Sequence, residues 1–150
     1  MGQLAVGQEI KKLLVKGVIV QSTHEQDEFV SPMFLRPKLD GSYRMILNLR
    51  GLNEYVEYRH FKMDSIWNAI SLMKPYCYMA SVDLKDAYFS VRICSEHQKY
   101  LKFSWNGTFY KFTCFPNGLA LAPGKFSKLL KPAYSSLRKK GHISSPYIDD

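Results

Sequence analysis

Asn106-Gly107 stands between two runs of alternating polarity, Tyr100-Leu101-Lys102-Phe103-Ser104 and Thr108-Phe109-Tyr110-Lys111-Phe112-Thr113. A two-residue type I′ turn needs left-handed backbone at both central positions, and Asn-Gly meets that need at least strain. The pair therefore commits this stretch to an antiparallel hairpin. Asp40-Gly41 gives a second hairpin signal, between Met33–Lys38 and Tyr43–Leu49. In that second strand Tyr43, Met45, Leu47 and Leu49 share one face, and Arg44, Ile46, Asn48 and Arg50 share the other.

Helices are interspersed with these hairpins. Ile10, Leu13 and Leu14 follow helical spacing and Gly17 supplies a stop. Residues 21–28 are polar and read as a loop. Asp64 is placed to cap a short helix through Ile66, Trp67, Ile70 and Met73, which Pro75 ends. Residues 78–84 read as a buried strand, and Pro116-Asn117-Gly118 as a turn. Pro123 opens the longest helix, with an apolar stripe of Phe126, Leu129, Leu130, Ala133, Tyr134 and Leu137. Pro132 is expected to kink it and Gly141 to end it, before a strand from Ile143 to Ile148. This mixed order predicts an α+β fold rather than a regular βαβ repeat.

A chain of 150 residues with 46% hydrophobic and 14% aromatic residues can bury a core. No apolar run reaches the ~18–20 residues of a membrane span, so no membrane partner is expected. The start reads as neither a secretory leader nor a myristoylation site, since Val6 stands where Ser or Thr is wanted. Cys77, Cys94 and Cys114 are odd in number and widely spaced. They are read as buried thiols in a reducing compartment, with neither disulfides nor zinc. An intracellular setting, cytoplasm or nucleus, follows as the expectation.

The net charge is +8, and it is uneven. Residues 97–148 carry nine Lys or Arg and no acid, which suggests a polyanionic partner. Against that background three carboxylates stand out. Asp83 lies in an apolar run where burying a lone carboxylate is costly; a hydrogen-bonded structural aspartate would equally account for it. Asp149 and Asp150 follow an extended run, and adjacent strand residues point to opposite faces. Their mutual repulsion would be offset by a divalent cation, although a solvated acidic turn explains the pair as simply. Taken together, acids on two strand ends joined by a basic segment are the set that two-metal phosphoryl transfer requires.

Five segments then stand in a family's order: Arg36-Pro37-Lys38-Leu39-Asp40-Gly41-Ser42-Tyr43-Arg44, Leu49-Arg50-Gly51-Leu52-Asn53, Asp83-Leu84-Lys85-Asp86-Ala87-Tyr88-Phe89-Ser90, the run from Phe115 to Pro123, and Tyr147-Ile148-Asp149-Asp150. Over essentially its whole length the chain resembles the reverse transcriptases of retroelements. The wording of LNLRGLN, FPNGLALAP, GHIS and YIDD is most similar to the DIRS-type, tyrosine-recombinase retrotransposons.

The resemblance implies a polymerase right hand, with fingers over about residues 1–58 and 91–121. The palm would cover about 59–90 and 122–150, with an antiparallel sheet and packed helices but no thumb. It implies an RNA-directed DNA polymerase that adds deoxynucleotides to a primer 3′-hydroxyl on an RNA or DNA template. Asp83 and Asp149 match the principal metal ligands, Asp150 the third catalytic carboxylate, and the Leu84 carbonyl a further metal contact. The implied ions are two Mg²⁺, with Mn²⁺ as a substitute.

Lys38 and Arg44 match the cations that grip the incoming deoxynucleoside triphosphate, Arg through a forked geometry and Lys as a point charge. Tyr88 matches an aromatic gate against a 2′-hydroxyl; a core tyrosine is the plainer reading. Asp86 and Ala87 match residues beside that gate, and Asn117 and Gly118 the loop over the nucleotide. Retroviral members carry glutamine and many retrotransposon members phenylalanine where Asn117 stands. Lys125, Lys128 and Lys131 lie off the apolar stripe of the long helix, as a solvated face or as contacts to template and primer phosphates.

In the family the acidic turn is followed by a returning strand, a thumb and an RNase H region, none of which lies in these residues. The expectation is therefore that this chain alone has little or no polymerase activity. Two other readings remain: a non-catalytic nucleic-acid-binding remnant, and a two-metal nuclease or integrase. The last lacks an expected further acid, because none lies between Glu96 and Asp149.

Overall fold

The computed structural model describes residues 2–39 and 41–148. Asp40, Asp149 and Asp150 lie outside the described residues. The chain divides into two units, Met1–Glu57 with Tyr88–Ala122, and Tyr58–Ala87 with Pro123–Asp150.

The first unit opens with α1 (Gly2–Val15). Its end satisfies the loose carbonyls in a paired pattern: Gly17 N–H donates to Leu14 O at 2.9 Å and Val18 N–H to Leu13 O at 3.0 Å. Gly17 sits at φ +66°, the left-handed conformation that this motif needs. The chain then enters β1 (Ile19–Ser22) at once, before the expected polar loop. Ile19 is fully buried and lies opposite Phe112, so burial and ladder bonds override the polar start of that loop at Gln21 and Ser22.

The predicted hairpins both form. In β4 (Lys102–Trp105) and β5 (Thr108–Phe112), Asn106 and Gly107 take φ of 48° and 76°, as a type I′ turn requires. These strands and β1 make an antiparallel sheet in the order β1-β5-β4. A second antiparallel pair joins β2 (Met33–Pro37) to β3 (Tyr43–Leu47). Met45 and Leu47 point inward to a core that includes Ile10, Ile19, Leu49, Phe103, Phe112 and Cys114. The short helices α2 (Arg50–Asn53) and α4 (Ser95–Gln98) follow β3 and precede β4 in the chain. A 3₁₀ turn spans Ala87–Ser90.

Charge in this unit is not what the linear order suggests. Lys102 is fully buried, and its ammonium donates to the Glu28 carboxylate and, at 3.2 Å, to Glu25. Lys111 donates to Glu25 as well, at 3.2 Å. The acids of loop 23–28 thus neutralise two of the nine cations in the acid-free stretch, so that stretch does not form one continuous basic face.

In the second unit α3 (Ile66–Leu72) starts at Ser65, whose Oγ accepts from Asn68 N–H at 3.3 Å. The cap is therefore Ser65 and not Asp64, whose carboxylate accepts instead from Ser145 Oγ at 3.3 Å. The apolar stripe of α3 stays exposed, with Trp67 at 74%. The long helix α5 (Ala122–Lys139) runs through Pro132 and ends at Gly141, φ +86°. His142 N–H to Leu137 O repeats the pattern seen after α1. A Cβ at Gly124 would come within 3.0 Å of the Phe61 ring, so glycine lets the first turn of α5 approach that side chain. Of the expected α5 stripe, Phe126 is buried while Leu129 and Leu137 are exposed.

Two expected strands do not form among the described residues. Residues 78–84 and 143–148 have no ladder partner, and both antiparallel sheets lie in the first unit. Tyr78, Met79 and Val82 are exposed, so the segment is not the buried strand that its apolar composition predicts. An apolar run becomes a strand only when another edge pairs with it. The cysteines divide too: Cys77 and Cys94 are exposed, and only Cys114 is buried.

Candidate functional site

The β2–β3 hairpin sets out its cations by simple alternation. Leu35 pairs with Met45 and Arg36 with Arg44, so the two arginines share the outward face. Beyond β2, Lys38 N–H donates to Ser42 O at 2.8 Å, and Gly41 N–H donates back to Lys38 O at 3.1 Å. The connection is thus a three-residue loop with Gly41 at φ +77°, a common hairpin form with glycine in the left-handed position. Lys38, Arg36 and Arg44 are all exposed at this tip. Arg36 is a third cation, to which the resemblance assigns no role. Its signal was present in the spacing: it stands two residues before Lys38, the offset that returns to the same strand face.

A second feature of this unit is the loop carrying Asn117 and Gly118. Gly118 has φ +95°, and a Cβ there would lie 3.7 Å from Leu47 O. The Asn53 side chain grips this loop with both ends of its amide. Nδ2 donates to Gly118 O at 2.9 Å, and Oδ1 accepts from Ala120 N–H at 2.9 Å. Asn117 itself is exposed. Asn53 lies in a motif that the sequence marked, but its role depends on a partner 65 residues away.

Tyr88 is half-buried and packs against the core of the first unit. Ala87 is buried. Asp86 takes φ +54°, a left-handed conformation that Asp tolerates better than most residues.

In the second unit Asp83 is exposed and Leu84 half-buried. The cost of burying a lone carboxylate, which first singled out Asp83, therefore does not arise. Asp149 and Asp150 lie outside the described residues. Among the described residues no group of three or more His, Cys, Asp or Glu could hold a metal ion. The donors implied by resemblance are carboxylate and carbonyl oxygens, the hard ligands that suit Mg²⁺, and the Asp83 carboxylate is open to solvent. Lys125, Lys128 and Lys131 are exposed on α5, but only Lys131 lines the groove that runs beside the helix. No helix among the described residues is long and apolar enough to cross a membrane.

The first unit thus carries a cationic hairpin tip and, at the far end of β3, an asparagine-clamped glycine loop. Residues 36–150 match the family model described as reverse transcriptase (RNA-dependent DNA polymerase), and the chain belongs to that family. It is similar to the Transposon Tf2-3 polyprotein of Schizosaccharomyces pombe, at 25% identity over 146 residues, covering 97% of this chain and 11% of the polyprotein. The Tf2-7 polyprotein of the same organism is 24% identical over the same span. The chain thus spans about a tenth of the length of these curated relatives.

Among solved structures, the native Prototype Foamy Virus protease-reverse transcriptase has the same fold, with a TM-score of 0.79 at 22% identity, covering 99% of this chain and 19% of that one. A foamy viral protease-reverse transcriptase in complex with RNA/DNA hybrid gives a TM-score of 0.79 at 24% identity, over 98% and 19% of the two chains. The likeness places this chain in the fingers and palm fold, with mixed helices and antiparallel sheets.

Proposed function

We propose that this chain is the fingers and palm portion of a retrotransposon's RNA-directed DNA polymerase. The first unit would be the fingers and the second the palm. The observation that carries this reading is the hairpin tip, where Lys38, Arg36 and Arg44 stand exposed on the flanks of one turn. Cations on the flanks of one turn suit a triphosphate, and the guanidinium forks suit its paired oxygens. The clamped loop at Asn117 and Gly118 would close over the nucleotide, and Tyr88 would stand against its sugar, with Asp86 and Ala87 beside it. Template and primer are proposed as partners because foamy viral relatives are described in complex with dsDNA and with RNA/DNA hybrid.

Asp83, Asp149, Asp150 and the Leu84 carbonyl would hold two Mg²⁺ ions, or Mn²⁺ in their place. When bound, such ions lower the charge barrier to attack by a primer hydroxyl and stabilise the leaving pyrophosphate. The chain's own residues orient the triphosphate and select its sugar. The LNLRGLN, FPNGLALAP, GHIS and YIDD segments support a DIRS-type origin within the family.

A second reading, binding without catalysis, is favoured for the chain on its own by residues 78–84 and 143–148. The first contains Asp83 and Leu84, the second runs directly up to Asp149, and neither is held in a ladder. We propose that the isolated chain binds nucleotide but extends a primer little or not at all. Titration of a deoxynucleoside triphosphate with Mg²⁺ tests the site, with loss of binding expected in Asp83→Asn. Primer extension on an RNA template tests the activity; robust incorporation abolished by the same substitution would overturn the inactivity of the isolated chain.

A further inference from the structure

The segment that leads into β2 begins to pair with β4 and then leaves it. Lys102 N–H donates to Phe29 O at 3.3 Å, and Ser31 N–H donates to Lys102 O at 2.8 Å. Together they make a single parallel bridge, Val30 with Lys102. A continued parallel ladder would next join Ser104 N–H to Ser31 O and Met33 N–H to Ser104 O. Neither bond forms among the described residues, and β4 and β2 stay in separate sheets. Between them opens a cavity of about 440 Å³, lined by Val30, Ser31, Pro32, Met33, Ser104 and Trp105.

Register fixes where the unmet groups point. The two-residue turn at Asn106-Gly107 makes Trp105–Thr108 and Phe103–Tyr110 the bonded pairs of the β4–β5 hairpin. Ser104 therefore turns its N–H and C=O away from β5, as Lys102 does. In the other hairpin Asn48 N–H donates to Pro32 O at 2.7 Å, and Lys38 N–H to Ser42 O at 2.8 Å. The bonded positions on that strand are thus the even ones, and Met33 turns its N–H and C=O away from β3. The cavity wall holds one more unmet group: Ser31 is 2% exposed and its hydroxyl has no hydrogen-bond partner.

We infer that this cavity binds a short, uncharged, extended peptide segment by its backbone, alongside Ser104. Such a segment carries N–H and C=O groups at strand spacing, the pattern that Ser104 and Met33 present. Charge separates it from other ligands. No Lys, Arg, Asp or Glu lines the cavity, although the net charge is +8, and the nearby Lys102 is neutralised by Glu28 and Glu25. A phosphate, a metal ion or a charged peptide would lose hydration there without a counter-charge. The half-buried Trp105 gives an apolar wall for one side chain of the segment. The volume lies within the roughly 300–1,000 Å³ of ligand pockets. The site is at the opposite end of β2 from Lys38, and it stands independently of the triphosphate reading.

The test is a titration of the nitrogen-15-labelled 150-residue chain with the capped tetrapeptide acetyl-Thr-Val-Thr-Val-amide, followed by amide chemical shifts. Saturable shifts are expected at the Ser104 and Met33 amides and at the Trp105 indole. The same peptide methylated on its internal backbone nitrogens should bind about fivefold or more weakly. Ser104→Pro removes the outward N–H but no bond to β5, and should weaken the unmethylated peptide about as much. Ser104→Ala keeps the backbone and should hold affinity within about twofold. If Ser104→Pro does not fold, the two peptides on the unaltered chain decide. Equal binding of the two peptides overturns the proposal. So does an absence of saturable shifts, which would leave a hydrated sheet edge. Uridine is the competing probe: shifts at the same amides with uridine and none with the peptide make this a site for a planar base, and the proposal fails. Shifts that grow with protein concentration alone assign the edge to a second copy of the chain and likewise overturn it.

Discussion

Asn53 holds Gly118 and the residues after it by both ends of one amide, donating to Gly118 O and accepting from Ala120 N–H, each at 2.9 Å. No isosteric carboxylate can replace it, because Asp lacks the donor. Asn53→Asp and Asn53→Ala should each lower stability by about 1–2 kcal/mol. Both should also weaken nucleotide binding, since the loop would no longer be held. Denaturant unfolding and nucleotide titration on the same variants check this; a stability loss with unchanged nucleotide affinity would confine Asn53 to a structural role.

Arg36 and Arg44 face each other across β2 and β3, and like charges directly opposite destabilise a ladder. Arg36→Glu should therefore stabilise the chain by a few tenths of a kcal/mol while weakening triphosphate binding. Arg44→Ala should reduce that binding about tenfold or more with little effect on unfolding, because the side chain is exposed. Paired unfolding and titration curves read both effects.

The Lys102 cluster gives a dependence on pH. The hydrogen bond from Lys102, then those from the Glu25 backbone N–H and from His24, hold the Glu28 carboxyl at about 2, against an ordinary 4.5. Glu25 is lowered in the same direction, by Lys102 and then Lys111. Acids lowered in the folded state stabilise it above their unfolded value, and that contribution disappears as pH falls through the folded value. Stability should thus decline between about pH 4.5 and 2. Lys102→Met should be less stable at neutral pH and should show a flatter decline over that window, measured by denaturant melts at each pH.

The three thiols should divide in reactivity. Burial pushes the Cys114 thiol up and its side chain is shielded, whereas Cys77 and Cys94 are exposed. A maleimide at pH 8 should label two sites rapidly in the folded chain and the third only after denaturation. Mass spectrometry of the labelled peptides identifies them.

The proposed sugar gate carries a structural load as well. Tyr88 packs against the core, so Tyr88→Val should cost about 1–3 kcal/mol of stability. It should also narrow the preference for deoxynucleotides over ribonucleotides, read as the ratio of their dissociation constants. A variant that loses stability but keeps the ratio would make Tyr88 a core residue only.

Much of the first unit was legible because its signals are local. Asn106-Gly107 and Asp40-Gly41 specify turns from the backbone preferences of two residues, and alternation then assigns Met45 inward and Arg44 outward. The second unit was less legible. Residues 78–84 have the apolar composition of a strand, but composition cannot supply the edge that a strand pairs with. Asp64 was the cap expected from the sequence; Ser65 takes that place by accepting from Asn68 N–H, while Asp64 meets Ser145, 81 residues away.

The sequence by itself determined the family, through motifs whose order and spacing survive translation into one dimension, and it placed the turns and the cations of the hairpin tip. Only the tertiary structure decided which charges meet solvent. Lys102 lies in a stretch with no acid, yet it is buried against Glu28, 74 residues away. Lys131 looks like one of three equivalent helix lysines, yet it alone of the three lines the groove. Turn geometry depends on neighbours along the chain, whereas exposure and pairing depend on what folding brings beside a residue. For that reason the chemistry of single positions was readable early, and the surface they jointly form was not.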